Sequence, residues 1–85
     1  MGRKGTVAAL NQSRGMVAIA TEDDGYTIIE LQSEFELEIG DETTWQNGYS
    51  LGSESYKNVT KGTQQEVYVQ NHSVSNASVR QQLLF

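Results

Sequence analysis

The chain never stays apolar for more than five residues, Met16 to Ala20, and farther along its apolar residues alternate with polar ones, as Phe35, Leu37 and Ile39 and then Val67 and Val69 do. A period of two belongs to strands, whose successive side chains point to opposite faces. Thr6 to Leu10 and Met16 to Thr21 are short runs of small or β-branched residues. The segment between them, Asn11-Gln12-Ser13-Arg14-Gly15, has the composition of a hairpin loop. Glu22-Asp23-Asp24-Gly25 is a second turn, because Asp-Gly tolerates positive φ, and Tyr26 to Leu31 is a third strand, which completes a meander. Phe35, Leu37 and Ile39 alternate with Glu34, Glu36 and Glu38, which predicts an extended segment with an apolar and a carboxylate face. Gly40-Asp41 reads as a turn, and Glu42 to Gln46, with Trp45, as a further strand.

From Asn47 to Gly62 the apolar residues Tyr49, Leu51, Tyr56 and Val59 are too sparse among Gly, Ser, Thr and Asn to define an element, so a long loop or an irregular hairpin is expected. Thr63 to Gln70 is the last strand, with Val67 and Val69 on one face. Ser73, Ser75 or Asn76 then caps a final helical turn in which Val79 and Leu83 share a side at i, i+4. A helix of about ten residues is marginal without docking. The apolar end Leu83-Leu84-Phe85 is therefore expected to dock across the sheet or to mark where a longer chain was cut, ahead of forming a seam between two copies.

Eighty-five residues make one domain. The expected fold is all-β, a small five-stranded barrel over residues 1–72 followed by a tail or short helix over 73–85, since closure removes the strand edges that invite aggregation. The chain has no cysteine, which excludes disulfides, thiol nucleophiles and thiolate metal sites. Its single histidine, His72, is read as a surface residue and not as a catalytic base. Glu22, Asp23, Asp24, Asp41 and Glu42 have no EF-hand spacing and are read as solvated acids; no metal or cofactor is implied. No apolar run approaches the roughly 20 residues of a membrane span, and no leader pattern is present, so the expected compartment is the cytoplasm.

Charge is strongly segregated. Residues 1–21 carry +3, residues 22–42 carry −9 with no base among them, and the remainder carries +1, for a net charge of −5. A block of that sign repels a phosphate chain wherever it faces one, and as a solvated edge it favours a monomer.

The stretch Gly5-Thr6-Val7-Ala8-Ala9-Leu10-Asn11-Gln12-Ser13-Arg14-Gly15-Met16-Val17-Ala18-Ile19 resembles the opening of a cold-shock domain, an OB-type barrel. Gly5, Val7, Asn11, the Arg14-Gly15 pair and Ile19 match that family's Gly-Lys-Val-Lys-Trp-Phe-Asn and Lys-Gly-Phe-Gly-Phe-Ile segments, with the same loop length between them. Glu22 to Gly25 is similar to its acidic turn, and Leu37 to Trp45 to its Leu-x-x-Gly-x-x-Val-x-Phe segment, so the resemblance covers residues 5–46. It implies an OB-like fold and, in the family, single-stranded nucleic acid stacked on aromatics. At those positions this chain has Ala9, Met16 and Ala18, and in the second motif region Ile28 and Glu30 stand where the family has an aromatic and a histidine. Loss of three or four stacking contacts removes roughly 3 to 12 kcal/mol of binding, so the family's ligand is not expected to carry over.

The sequence thus points to a non-catalytic binding module that meets a protein partner or serves as one domain of a larger chain. The alternative is weak binding of single-stranded RNA or DNA through a relocated surface of Trp45, Tyr49, Tyr56, Lys57 and Lys61. Against it stands the reading in which Trp45 and two tyrosines fill the barrel ends with their hydroxyls at water.

Overall fold

The structure, a computed structural model, describes residues 3–22, 25–32, 37–46 and 51–83. Six strands, β1 (Arg3–Asn11), β2 (Met16–Thr21), β3 (Tyr26–Leu31), β4 (Glu42–Trp45), β5 (Gly52–Asn58) and β6 (Thr63–Val74), close into a barrel in the order β1-β2-β3-β6-β5-β4. A 3-10 turn (Asn76–Ser78) and a four-residue helix α1 (Val79–Gln82) follow. The fold is the all-β, OB-like small barrel with a short C-terminal helical turn that the sequence implies. It has six strands where five were expected, and each neighbouring pair is antiparallel. Parity explains the link between these two facts: a closed ring of five strands must contain a parallel pair, whereas a ring of six need not.

The additional strand is β5, which lies in the segment expected to be loop or irregular hairpin. Its inward side offers one large apolar residue, Tyr56, followed by buried Asn58, so the strand carries no apolar alternation to detect. A four-residue turn joins it to β6, with Asn58 opposite Thr63 and the Gly62 N–H donating to the Asn58 carbonyl at 2.8 Å. The alternation expected over residues 35–39 is not realised where it is described. Leu37 is buried, but Ile39 is 67% exposed and sits in a turn. The Gly40 N–H donates to the Val7 carbonyl and the Val7 N–H to the Asp41 carbonyl, so the chain is drawn round at Gly40 instead of running on as a strand. Phe35, Glu34 and Glu36 lie outside the described residues. β6 also runs four residues beyond Gln70, to Val74, and so crosses the boundary expected after residue 72.

Two separate apolar clusters form. Val7, Val17, Ile19, Ile29, Leu31, Leu37, Trp45, Tyr56, Val67 and Val69 fill the barrel, with Leu10 packed against them. Met16, Ala18, Ile28, Val74, Val79 and Leu83 form a second cluster on the outer face of the meander, with Ala9 and Tyr26 packed against it. A β-bulge in β1 lets that strand serve both. Val7 pairs with Ile19 and Ala9 with Ala18, which leaves Ala8 as the extra, exposed residue. The insertion reverses the phase of the alternation, so Val7 and Leu10 point inward while Ala9 points outward. Among the described residues no helix is long and apolar enough to cross a membrane.

Candidate functional site

The outer face of β1, β2 and β3 is where the family resemblance would place a ligand. Ala9 lies across from Ala18, Met16 across from Glu30, and Ala18 across from Ile28, so these side chains are laid side by side by the register alone. The face is covered. Leu83 is 0% exposed and packs with Val79 and Val74 over Met16, Ala18 and Ile28. The Leu83 N–H donates to the Val79 carbonyl at 2.9 Å, which stacks the two apolar side chains one turn apart, as their spacing predicts. Ala9 and Ala18 are small enough to let a helix approach the sheet; an aromatic ring at either position would lift it away. One polar contact completes the seat. The buried Asn11 side chain donates from Nδ2 to the Leu83 carbonyl at 2.8 Å, satisfying an acceptor at the end of α1 that the helix itself leaves open, while Ser13 Oγ donates to Asn11 Oδ1 at 2.9 Å.

The sequence reading took Ala9, Met16 and Ala18 as a bare face that had lost its rings. A signal for the cover was present in the apolar run itself. Strands with one face in water alternate; Met16, Val17, Ala18 and Ile19 are all buried and do not alternate, because both faces of β2 are covered. The expected docking of the C-terminal segment is met by Leu83; Leu84 and Phe85 lie outside the described residues.

The residues of the alternative surface are not assembled into one. Trp45 and Tyr56 are 3% and 1% exposed and stack on each other inside the barrel, with centroids 4.4 Å apart and planes 4° from parallel. The Arg3 guanidinium lies over the Trp45 ring at 6.0 Å. Tyr49 lies outside the described residues, and Lys57 is exposed on β5 between Thr44 and Gln64. Lys61 is held by two acids, with Nζ 3.2 Å from Glu38 and 3.3 Å from Asp41. The expectation that ring hydroxyls at the barrel ends reach water fails for Tyr56. Its hydroxyl is enclosed and has no hydrogen-bond partner among the described residues. Burial pushes its phenol well above the ordinary value, the charge of Glu54 adds to that, and Arg3 opposes it. Tyr56→Phe removes an unpaired buried donor while keeping the stack, and is expected to stabilise the fold by about 1 kcal/mol in urea unfolding. A loss of similar size would show that the hydroxyl is bonded.

The described acids of the block do not lie along one edge; Asp23, Asp24, Glu34 and Glu36 lie outside the described residues. Glu30 accepts from the Gln70 amide at 3.3 Å on the outer sheet face, and Glu22 and Glu42 line a cleft of about 160 Å³ together with Lys4. Asp41 is buried, where its Oδ2 accepts from the Asn58 amide at 2.9 Å and the Glu38 backbone N–H at 3.1 Å. Burial opposes its ionisation, but Asn58, the Glu38 N–H and Lys61 together outweigh that and hold the carboxyl below the usual value of 3.8. No group of three or more His, Asp or Glu side chains suited to a metal ion occurs among the described residues. His72 is half-buried on β6, and its Nδ1 meets Thr27 Oγ1 at 2.9 Å; the Thr27 side chain is 0% exposed, so this hydroxyl is out of reach of a substrate. Comparison of the chain with protein-family models, curated proteins and solved structures finds no match to any of them.

Proposed function

We propose that the chain is a non-catalytic binding module, a divergent cold-shock-like OB domain that meets a protein partner, alone or as one domain of a larger chain. The observation that carries this reading is the state of the outer sheet face. Its floor of Ala9, Met16, Ala18 and Ile28 offers no ring for a base to stack on, the half-buried Tyr26 is packed against the cluster, and Val79 and Leu83 occupy the floor. The rest of the described surface suits a protein better than a phosphate chain. Ile39, Leu51 and Val59 stand 67%, 60% and 48% exposed, the one exposed ring among the described large apolar residues, Tyr68 at 43%, lies across from Glu30, and the net charge is negative. The meander, the hairpin loop closed by Gly15 at φ 68° and the barrel closure support the OB-like fold on which this reading rests. The absence of cysteine suits the cytoplasm, and a ring without free sheet edges suits a monomer.

The test is fluorescence anisotropy of labelled oligo-dT and oligo-U titrated with the protein at low salt. No saturable binding in the micromolar range is expected. Micromolar or tighter binding that weakens as salt rises would restore nucleic acid as the ligand.

A further inference from the structure

We propose that the barrel end formed by the turn of residues 37–41 and the β5–β6 turn is the surface on which the module meets its protein partner, and that the partner docks there with a short segment of aliphatic residues flanked by lysine or arginine. This names the partner chemistry of the function proposed above and rests on that reading.

Among the described residues four large apolar side chains are exposed, and two of them, Ile39 at 67% and Val59 at 48%, belong to this end. They are distant in sequence, and polar bonds lay their turns side by side. The Val59 N–H donates to the Glu42 carbonyl at 2.8 Å, and the Glu42 N–H donates to Thr60 Oγ1 at 2.8 Å. Asn58 Nδ2 donates to Asp41 Oδ2 at 2.9 Å, and Lys61 Nζ reaches Glu38 and Asp41. Glu38, next to Ile39, and Asn58 and Thr60, on either side of Val59, are thus all among the residues that lace the two turns together.

Scattered apolar side chains on a surface are ordinary. These two differ in how firmly they are held. Leu37 is buried in the barrel two residues before Ile39, and just after Ile39 the Gly40 N–H and the Asp41 carbonyl both bond to Val7. A turn pinned on both sides presents Ile39 to water in one backbone arrangement, so little ordering is left to be done on binding. The rim selects the partner's charge. Glu38 and Glu42 are exposed, Asp41 is the buried anchor, and Lys61 is paired with two acids, so three carboxylates stand against one ammonium, a net of −2. A phosphate chain or a second copy of the same end is repelled, and a segment with cations beside its aliphatic residues is matched. An apolar centre within a polar rim is the arrangement that concentrates affinity at protein interfaces.

The test pans a random peptide library displayed on phage against the full chain, which leaves the choice of surface and of peptide to the protein. The enriched peptides are expected to carry aliphatic residues beside Lys or Arg. Made as fluorescein-labelled probes, they are expected to bind Ile39→Ser and Val59→Ser at least about tenfold more weakly than the native chain, and Ile39→Leu as well as it. Added salt is expected to weaken these complexes. Both positions lie outside the core, and Trp45 emission reports that the barrel is intact in each variant. Enrichment of acidic or uncharged peptides, binding unaffected by Ile39→Ser, or enrichment of no peptide would overturn the assignment. None of these outcomes bears on the oligonucleotide titration, so the two proposals fail separately.

Discussion

Gly5→Ala is expected to lower the stability of the barrel by about 3 kcal/mol, the upper end for overpacking, because the new methyl meets backbone that cannot move. A Cβ at Gly5 would lie 2.5 Å from Ile19 Cγ2 and 2.6 Å from the Ala20 carbonyl oxygen. Gly5 pairs with Thr21 of β2 on one side and Thr43 of β4 on the other, so it sits where β1 closes the ring. A displacement that relieved the clash with β2 would strain the ladder to β4. Urea unfolding measures the cost. Addition of Ile19→Ala removes only the first contact and leaves the carbonyl clash, so it is not expected to rescue the variant. A loss under about 1 kcal/mol would mean that the closing strand has freedom the ring geometry denies it.

Asp41→Ala is expected to cost about 2–4 kcal/mol, because it strands the Asn58 amide inside the barrel end as well as breaking a charged hydrogen bond. Asn58 is 0% exposed and its Nδ2 donates to Asp41. Its Oδ1 meanwhile accepts from the Lys61 backbone N–H at 3.1 Å, which holds the β5–β6 turn. The carboxylate thus ties the 37–41 turn to that hairpin. The pH dependence has a definite sign. Pairing holds the folded carboxyl below 3.8, so Asp41 contributes its full stabilisation above that pH and loses it as the pH falls through the lower folded value. Asp41→Asn keeps the size and one acceptor. It is expected to be the less damaging change and to lack this acid limb in denaturation followed from pH 7 to below 3.8. An unchanged acid limb in Asp41→Asn would show that other carboxylates set it.

Much of the fold was legible because it rests on local pattern. The β1–β2 loop and the ends of β2 and β3 follow from turn residues and β-branched runs. β5 escaped detection because its inward positions hold one tyrosine and an asparagine, and its stability comes from pairing with β6 and β4, not from its own alternation. Ile39 misled for the converse reason: an alternating pattern was present, but the backbone bonds of Val7 to Gly40 and Asp41 draw the chain into a turn at Ile39 and Gly40. That Trp45 and tyrosines would fill the barrel was the preferred reading over a surface of aromatics and lysines; that Tyr56 is the tyrosine, stacked face to face on Trp45, is shown only by the approach of β4 to β5.

The residues alone determined that this chain builds short antiparallel strands and that its last helical turn carries Val79 and Leu83 on one side, since periodicity and turn chemistry act over a few neighbours. Which surface that turn covers was decided by the tertiary structure, through the one-residue bulge at Ala8 that turns Ala9 outward and the ring closure that brings residue 83 against residue 11. Contacts across such distances depend on how strands are placed relative to one another, and no local pattern encodes that placement.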